Sequence, residues 1–301
     1  MKKIIIIFLF LNQFAFSQEF SDVKSEKIEI PKNQAFYFPT LSPDGNKLIL
    51  TKQNFTGLYL YDIYSKTIVK ISDKQGAGYN PVFSENGLKV FFRENEYEGM
   101  RKISSIYEYN INKAQKSIIE TKKRNVSSLQ IVKNQLYYTV DNKAKNLSLN
   151  NTSDNIEDLF VLIETQKIVL YVNGVKKVLS PKGEGNYIWP SLSPDNTKIL
   201  FTFAGHGTFV SDLNGNIISE LGVLNAPKWY DNNWIVGMKE NDDGNQYTSS
   251  DIFAVSLKEN QTVQLTNTKD IIELYPDCSS QNSKIVYHTP TGGIYLLKIE
   301  N

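Results

Sequence analysis

Apolar residues recur along the chain in short alternating runs bounded by proline, glycine, asparagine or aspartate, and no stretch holds a sustained helical period. The clearest unit is Phe38-Pro39-Thr40-Leu41, a polar turn Ser42-Pro43-Asp44-Gly45-Asn46, then Lys47-Leu48-Ile49-Leu50. A second copy runs from Trp189-Pro190 through the turn Ser193-Pro194-Asp195-Asn196-Thr197 to Lys198-Ile199-Leu200-Phe201. Weaker copies begin at Asn80-Pro81, Ala226-Pro227 and Tyr275-Pro276, and one without proline begins at Ser128-Leu129. Asp-Gly and Asn-Gly pairs supply the left-handed conformations that tight hairpins demand. A proline opening a short strand forfeits no needed ladder bond. Most units continue into a third strand, at 58–63, 105–111, 252–257 and 293–299, and into a fourth, at 67–72, 115–120, 217–221 and 262–266. Four short strands repeating every 40–50 residues or so predict the blades of a β-propeller.

The anchors predict an all-β, six-bladed β-propeller of four-stranded antiparallel blades. The stretch between Ser128 and Pro190 is longer than the other repeats. Residues 141–166 read as an insertion in the third blade, with 167–172 and 175–180 completing it; the other reading is an extra, degenerate blade. The last unit lacks a fourth strand of its own. Residues 27–31, ahead of the first anchor, are expected to pair beside 293–299 and join the two ends of the chain. Closure of that kind removes the exposed edges that a β protein must otherwise protect.

These turns resemble those of the TolB-like β-propeller family, in which Ser-Pro-Asp-Gly is followed by lysine and an apolar strand. Residues 42–47 match that pattern throughout, 193–198 carry Asn196 for the glycine, and 84–89 carry Glu85 and Asn86 for proline and aspartate. The resemblance covers about 36–299 and implies a periplasmic or secreted propeller that docks proteins or, less often, small molecules.

The N-terminus adds an expectation about location. Lys2 and Lys3 precede an apolar run at 4–11, and small residues follow at Ala15 and Ser17. That order describes a secretory signal peptide over 1–17, leaving 18–301 as a single propeller domain. The run falls short of the roughly 20 residues a membrane-spanning helix needs. The expected product is exported, periplasmic or secreted, and not membrane-spanning.

Composition narrows the chemistry. The chain of 301 residues carries 33 basic and 32 acidic side chains. That balance speaks against nucleic-acid binding, which draws on a clear basic excess. A single cysteine, Cys278, precludes an internal disulfide. Two histidines, His206 and His288, leave little material for a zinc centre or a Ser-His-Asp triad. No cofactor and no metal are expected, and a closed ring with no open edge predicts a monomer.

In a propeller the loops between second and third strands share a face with the starts of the innermost strands. That placement gathers Tyr79, Arg93, Glu94, Tyr187, Trp189, His206, Lys239, Glu240, Tyr275 and His288 as candidate binding residues around the channel. Aromatic rings mixed with both charge signs suit a peptide or a glycan, by stacking and hydrogen bonding. The competing reading is that these rings pack the blade interfaces. The acidic run Asn241-Asp242-Asp243-Gly244-Asn245 reads as a hairpin tip. The main functional expectation is a non-catalytic module docking a protein partner at the cell envelope. The second is a glycan-active lyase or hydrolase using His206, His288, Arg93 and Glu240.

Overall fold

The structure, a computed structural model, describes residues 20–31, 34–149, 158–258 and 261–300. The expected signal peptide lies outside the described residues. Seven antiparallel sheets follow one another, numbered here as blades 1 (37–75), 2 (82–123), 3 (130–148), 4 (159–179), 5 (187–222), 6 (225–264) and 7 (274–300). Five have four strands and, among the described residues, blades 3 and 4 have three. The protein is therefore a seven-bladed propeller, and the expected count of six is corrected.

The extra blade comes from the stretch expected as an insertion. Strand Lys143–Ser148 is the third strand of blade 3, and strand Leu159–Glu164 opens blade 4. Strands Lys167–Val172 and Val175–Leu179 belong with it, not with blade 3. Blade 4 also runs against its neighbours. The Tyr187 amide, where the innermost strand of blade 5 begins, donates to the Gln166 carbonyl at 3.0 Å. The first hairpin tip of blade 4 therefore sits at the end where other blades start, so Leu159–Glu164 climbs where the neighbouring innermost strand descends. Gln130 bridges blades 3 and 4: its side-chain amide takes the Val161 amide at 3.3 Å and donates back to the Val161 carbonyl.

The ring closes as expected in kind, though with a different strand. Asp22–Lys27, not 27–31, pairs antiparallel with Ile294–Glu300, from Asp22 opposite Glu300 to Lys27 opposite Tyr295. Phe20, just before it, is buried against Tyr230 and Trp234 at ring distances of 5.2 and 5.0 Å.

The repeated turns share one hydrogen-bond plan. The buried hydroxyls of Ser42, Ser84 and Ser193 donate to Asp44, Asn86 and Asp195, and accept the amides of Lys47, Lys89 and Lys198 at 2.9, 2.9 and 3.0 Å. Gly45, Gly87 and Asn196 each take the left-handed conformation, with φ of 63°, 69° and 59°. Apolar side chains of successive blades fill the spaces between them. Leu41, Leu48 and Leu50 of blade 1, for example, meet Val286, Ile294 and Leu296 of blade 7.

Candidate docking face

A bulge at the start of the innermost strand shapes one face of the ring. In blades 1, 2, 5, 6 and 7 the residue directly before proline has a positive φ: Phe38 at 48°, Asn80 at 48°, Trp189 at 51°, Ala226 at 46° and Tyr275 at 50°. In four of these blades, all but blade 2, pairing to the second strand skips register across that residue. Left-handed backbone is strained for a residue with a Cβ. A bulge turns the side chain it carries away from the strand's regular alternation. The five blades are contiguous around the ring, and blades 3 and 4 lack the feature.

Backbone bonds confirm that the loops between second and third strands lie on this face. The Phe36 amide donates to Gly292 at 3.0 Å, Gly78 to Phe55 at 3.2 Å, and Ala204 to Asn186 at 2.9 Å. A row of rings crosses it from blade 2 to blade 7. Tyr79 meets Phe55 at 5.1 Å, Phe55 meets Phe38 at 4.5 Å, Phe38 meets Tyr275 at 4.8 Å, and Tyr275 stacks on His288. Tyr79 is 42% exposed, and Phe38, Phe55 and Tyr275 are half-buried. Two long hairpins flank the row. Blade 2 contributes Lys89–Glu98 and Arg101–Asn110, of ten residues each, and blade 6 contributes Trp234–Asp242 and Tyr247–Ser256, of nine and ten. Lys47–Thr51 and Lys284–His288 in blades 1 and 7 have only five. The extra residues lift both hairpins by about 15 Å at 3.3 Å per residue. The blade 2 tip exposes Tyr97 and Met100, and the blade 6 tip carries Asp242 and Asp243.

The expected residues divide by role. Tyr79 and Tyr275 join the row, and the exposed Trp189 stands on the same face at blade 5. Arg93 is buried; its Nη1 donates to the carbonyls of Val126 and Ser127 at 2.9 and 3.0 Å, and its guanidinium lies 5.1 Å from the Tyr79 ring. Burial lowers its pKa below the usual arginine range. Glu94 is buried on the opposite side of the strand, accepting from Ser72 at 2.5 Å and pairing with Lys116. Tyr187 is buried, its hydroxyl accepting from the Lys182 amide at 2.8 Å and donating to the Gly183 carbonyl at 2.9 Å. These three hold blades and loops together.

His206 is exposed at its hairpin tip and stacks on Phe203 at 4.7 Å. His288 is 3% exposed, within 4.9–5.6 Å of the rings of Phe38, Tyr37 and Tyr275. The two histidines belong to blades 5 and 7, with blade 6 between. Nδ1 of His288 donates to the Thr289 carbonyl at 3.1 Å, which leaves Nε2 as an acceptor, and Nε2 has no partner. Burial lowers this histidine to about 4, against a smaller opposing effect of the Thr289 bond. Glu240 takes the Asn225 amide on Oε1 and leaves Oε2 buried and unpartnered. Burial raises its pKa, and Asp242 adds to the rise. Lys239, one residue before, faces away, its ammonium 4.6 Å from the Phe253 ring. Among the described residues no three His, Cys, Asp or Glu side chains are grouped to hold a metal ion.

Sequence reasoning did not single out Phe38 or Phe55 as ligand-facing. Phe38 carried a signal in its place before Pro39, the position that Trp189 and Tyr275 occupy in their own blades. Phe55 lies in a loop with no motif. Two recesses among the described residues, of about 260 and 120 Å³, are lined by Lys27, Ile28, Gln34, Thr291 and Ile294 and by Tyr137, Lys145, Asp158, Phe160 and Gly174, and neither includes an expected site residue.

No family model and no curated protein matches the chain. Solved structures do. A protein assigned as TolB from Agrobacterium tumefaciens is similar over 93% of this chain and 98% of its own, with 16% identity and a TM-score of 0.56. An oligogalacturonate lyase in complex with manganese is similar over 90% of this chain and 79% of its own, with 10% identity and a TM-score of 0.51. TolB from Acinetobacter baumannii is similar over 76% of this chain at 18% identity and a TM-score of 0.48, and the chain spans about half of its length, 53%. The shared property is the fold. That fold is a β-propeller, and one fold hosts many unrelated functions. No helix among the described residues is long and apolar enough to cross a membrane.

Proposed function

We propose that this propeller is an exported, non-catalytic binding module that docks a protein partner at the cell envelope on the face bearing the Tyr79–Phe55–Phe38–Tyr275 row. The observation that carries the reading is that row itself, partly exposed and flanked by two raised hairpins. Aromatic side chains concentrate binding energy at protein interfaces, because they remove large areas from water with few rotatable bonds. The signal-like N-terminus and the fold shared with TolB proteins support export and the envelope. The glycan-active alternative gathers less support: Arg93 is engaged by backbone carbonyls, and His206 and His288 stand two blades apart.

The test is capture from the native envelope with the chain beginning at Gln18, identification of the bound protein, and reconstitution of the complex from purified components. The Tyr79→Ala, Tyr97→Ala, Trp189→Ala triple variant, with unchanged melting temperature, is expected to weaken that complex at least about tenfold, or 1.4 kcal/mol. Equal affinity in the variant and the wild type overturns the placement.

A further inference from the structure

The two raised hairpins of this face end in opposite chemistry. At blade 6 the tip Asp242-Asp243-Gly244-Asn245 is polar, and its carboxylates fold back on their own turn. Asp242 accepts the Gly244 amide, and Asp243 the Asn245 and Gln246 amides, each at 2.9 Å. At blade 2 the strands Lys89–Glu98 and Arg101–Asn110 stay paired to the end, Tyr97 opposite Lys102 and Glu98 opposite Arg101. Gly99 and Met100 join them, Gly99 supplying a positive φ of 62°. Met100 is 100% exposed and Tyr97 62%. An apolar thioether chain and a phenol ring thus stand in water at the far end of a long hairpin, where burial against an apolar phase is still to be gained.

Basic side chains gather beside those two residues. The outer strand Gln115–Lys123 rises along the hairpin until Lys123 stands opposite Ser104, and Lys122 reaches Glu98 at 3.6 Å. Arg101 and Lys102 follow the turn, and Arg124 follows the strand. All three are exposed and enter no ion pair among the described residues. With Glu98 matched by Lys122, and Glu96 the remaining carboxylate, the tip carries a basic excess. Asp242 and Asp243 give the blade 6 tip the opposite sign.

An apolar point with a basic collar suits a membrane surface. Apolar and aromatic side chains enter the boundary between headgroups and acyl chains, while lysine and arginine meet the anionic phosphates. The shape of the tip favours this over a protein. A protein must offer a fitted pocket to bury a projecting point, whereas the bilayer boundary takes it without complementary shape.

We propose that the blade 2 hairpin is a peripheral membrane contact: Met100 and Tyr97 enter the interfacial layer of a bilayer, and Arg101, Lys102, Lys122 and Arg124 engage anionic phospholipid headgroups. The same headgroups repel Asp242 and Asp243, so the ring is tilted, with blade 2 toward the bilayer and blade 6 away from it. This contact goes beyond the docking reading above and does not depend on it.

The test is co-flotation of the whole purified chain with vesicles of phosphatidylglycerol and phosphatidylcholine in equal parts, beside vesicles of phosphatidylcholine alone. Binding to the anionic vesicles is expected to exceed binding to the neutral ones at least about tenfold, and to weaken as salt is raised. Met100→Asp combined with Tyr97→Ser should reduce it at least about tenfold, and Lys122→Glu combined with Arg124→Glu by about as much, each with an unchanged melting profile. Met100→Trp should bind at least as well as the wild type, and its added fluorescence should be quenched by brominated acyl chains. No binding to the anionic vesicles overturns the proposal. So does equal binding by the variant changed at Met100 and Tyr97, which would place the adsorption elsewhere on the chain, and so does unquenched Met100→Trp on bound vesicles. The vesicles hold no protein partner, so failure here leaves the docking reading intact. Failure to reconstitute a protein complex, beside normal vesicle binding, removes docking and supports the membrane contact alone.

Discussion

The His288 imidazole and the Tyr275 ring lie parallel, 5° apart in plane and 5.6 Å between centroids. That packing, with Tyr37 and Phe38 edge-on, takes the imidazole out of water and holds its pKa at about 4. In the unfolded chain it returns to the ordinary value of 6.5. Between those values the unfolded state binds a proton that the folded state refuses, so stability falls as pH drops from 6.5 to 4. The loss at the acid end is about 3 kcal/mol at most. Melting temperatures across that range should show the slope in the wild type and a flatter profile in His288→Phe. Identical profiles would place the acid sensitivity elsewhere.

Glu273 titrates with the opposite sign. It is 0% exposed, its Oε1 accepts from the Thr268 hydroxyl at 2.7 Å, and its Oε2 has no partner. Burial is the largest cause that lifts it from 4.5 to about 7, and the charge of Asp251 adds to it. The folded state therefore keeps a proton that the unfolded state releases, and stability falls as pH rises from 4.5 through 7. Glu273→Gln should be more stable than the wild type at pH 8 by about 1–3 kcal/mol and should lose that advantage near pH 4. Chemical denaturation at the two pH values measures the difference.

What the sequence made legible follows from which positions the turns dictate. Ser42, Ser84 and Ser193 mark real hairpins because a serine hydroxyl and a left-handed third residue are local requirements, satisfied within five residues. Blade 4 escaped the count because its hairpins at Thr165-Gln166 and Asn173-Gly174 use two-residue turns with no serine or proline anchor, and because its first strand enters from the opposite end. The apolar runs at 159–163 and 168–172 and the Asn173-Gly174 pair were the available signals. On the face, the aromatic positions before proline were readable. The engagement of Arg93 by Val126 and Ser127 was not, since those carbonyls belong to the next blade and lie 33 and 34 residues away.

The turns make a paired prediction. A Cβ on Gly45 would lie 2.8 Å from the Asn282 Cβ of blade 7, on a backbone at φ 63°. Gly45→Ala should cost about 1–2 kcal/mol, combining left-handed strain with that contact. Asn196 holds the equivalent position at φ 59°, so Asn196→Gly should fall within about 0.5 kcal/mol of the wild type. Urea unfolding of the two variants checks the asymmetry. Similar losses in both would mean that the Asn282 contact and the left-handed backbone do not govern this turn.

Ring closure depends on a short N-terminal segment, and two changes separate its parts. Phe20 fills the space beside Tyr230 and Trp234, so Phe20→Ala removes a buried ring and should cost about 3 kcal/mol. Glu26 pairs with Leu296 in the strand Asp22–Lys27, and Glu26→Pro removes a backbone donor from that ladder. It should free the segment, leave Ile294–Glu300 as an open edge, and promote self-association through it. Melting temperature reads the first effect, and light scattering at increasing protein concentration reads the second. The same geometry constrains processing: a cleavage beyond Phe20 would discard the side chain that anchors the closing strand. Under the export proposed above, mass spectrometry of the mature chain is expected to find a first residue at Gln18. A mature chain starting after Phe20 with an unchanged melting temperature would show that the closing strand holds without its aromatic anchor.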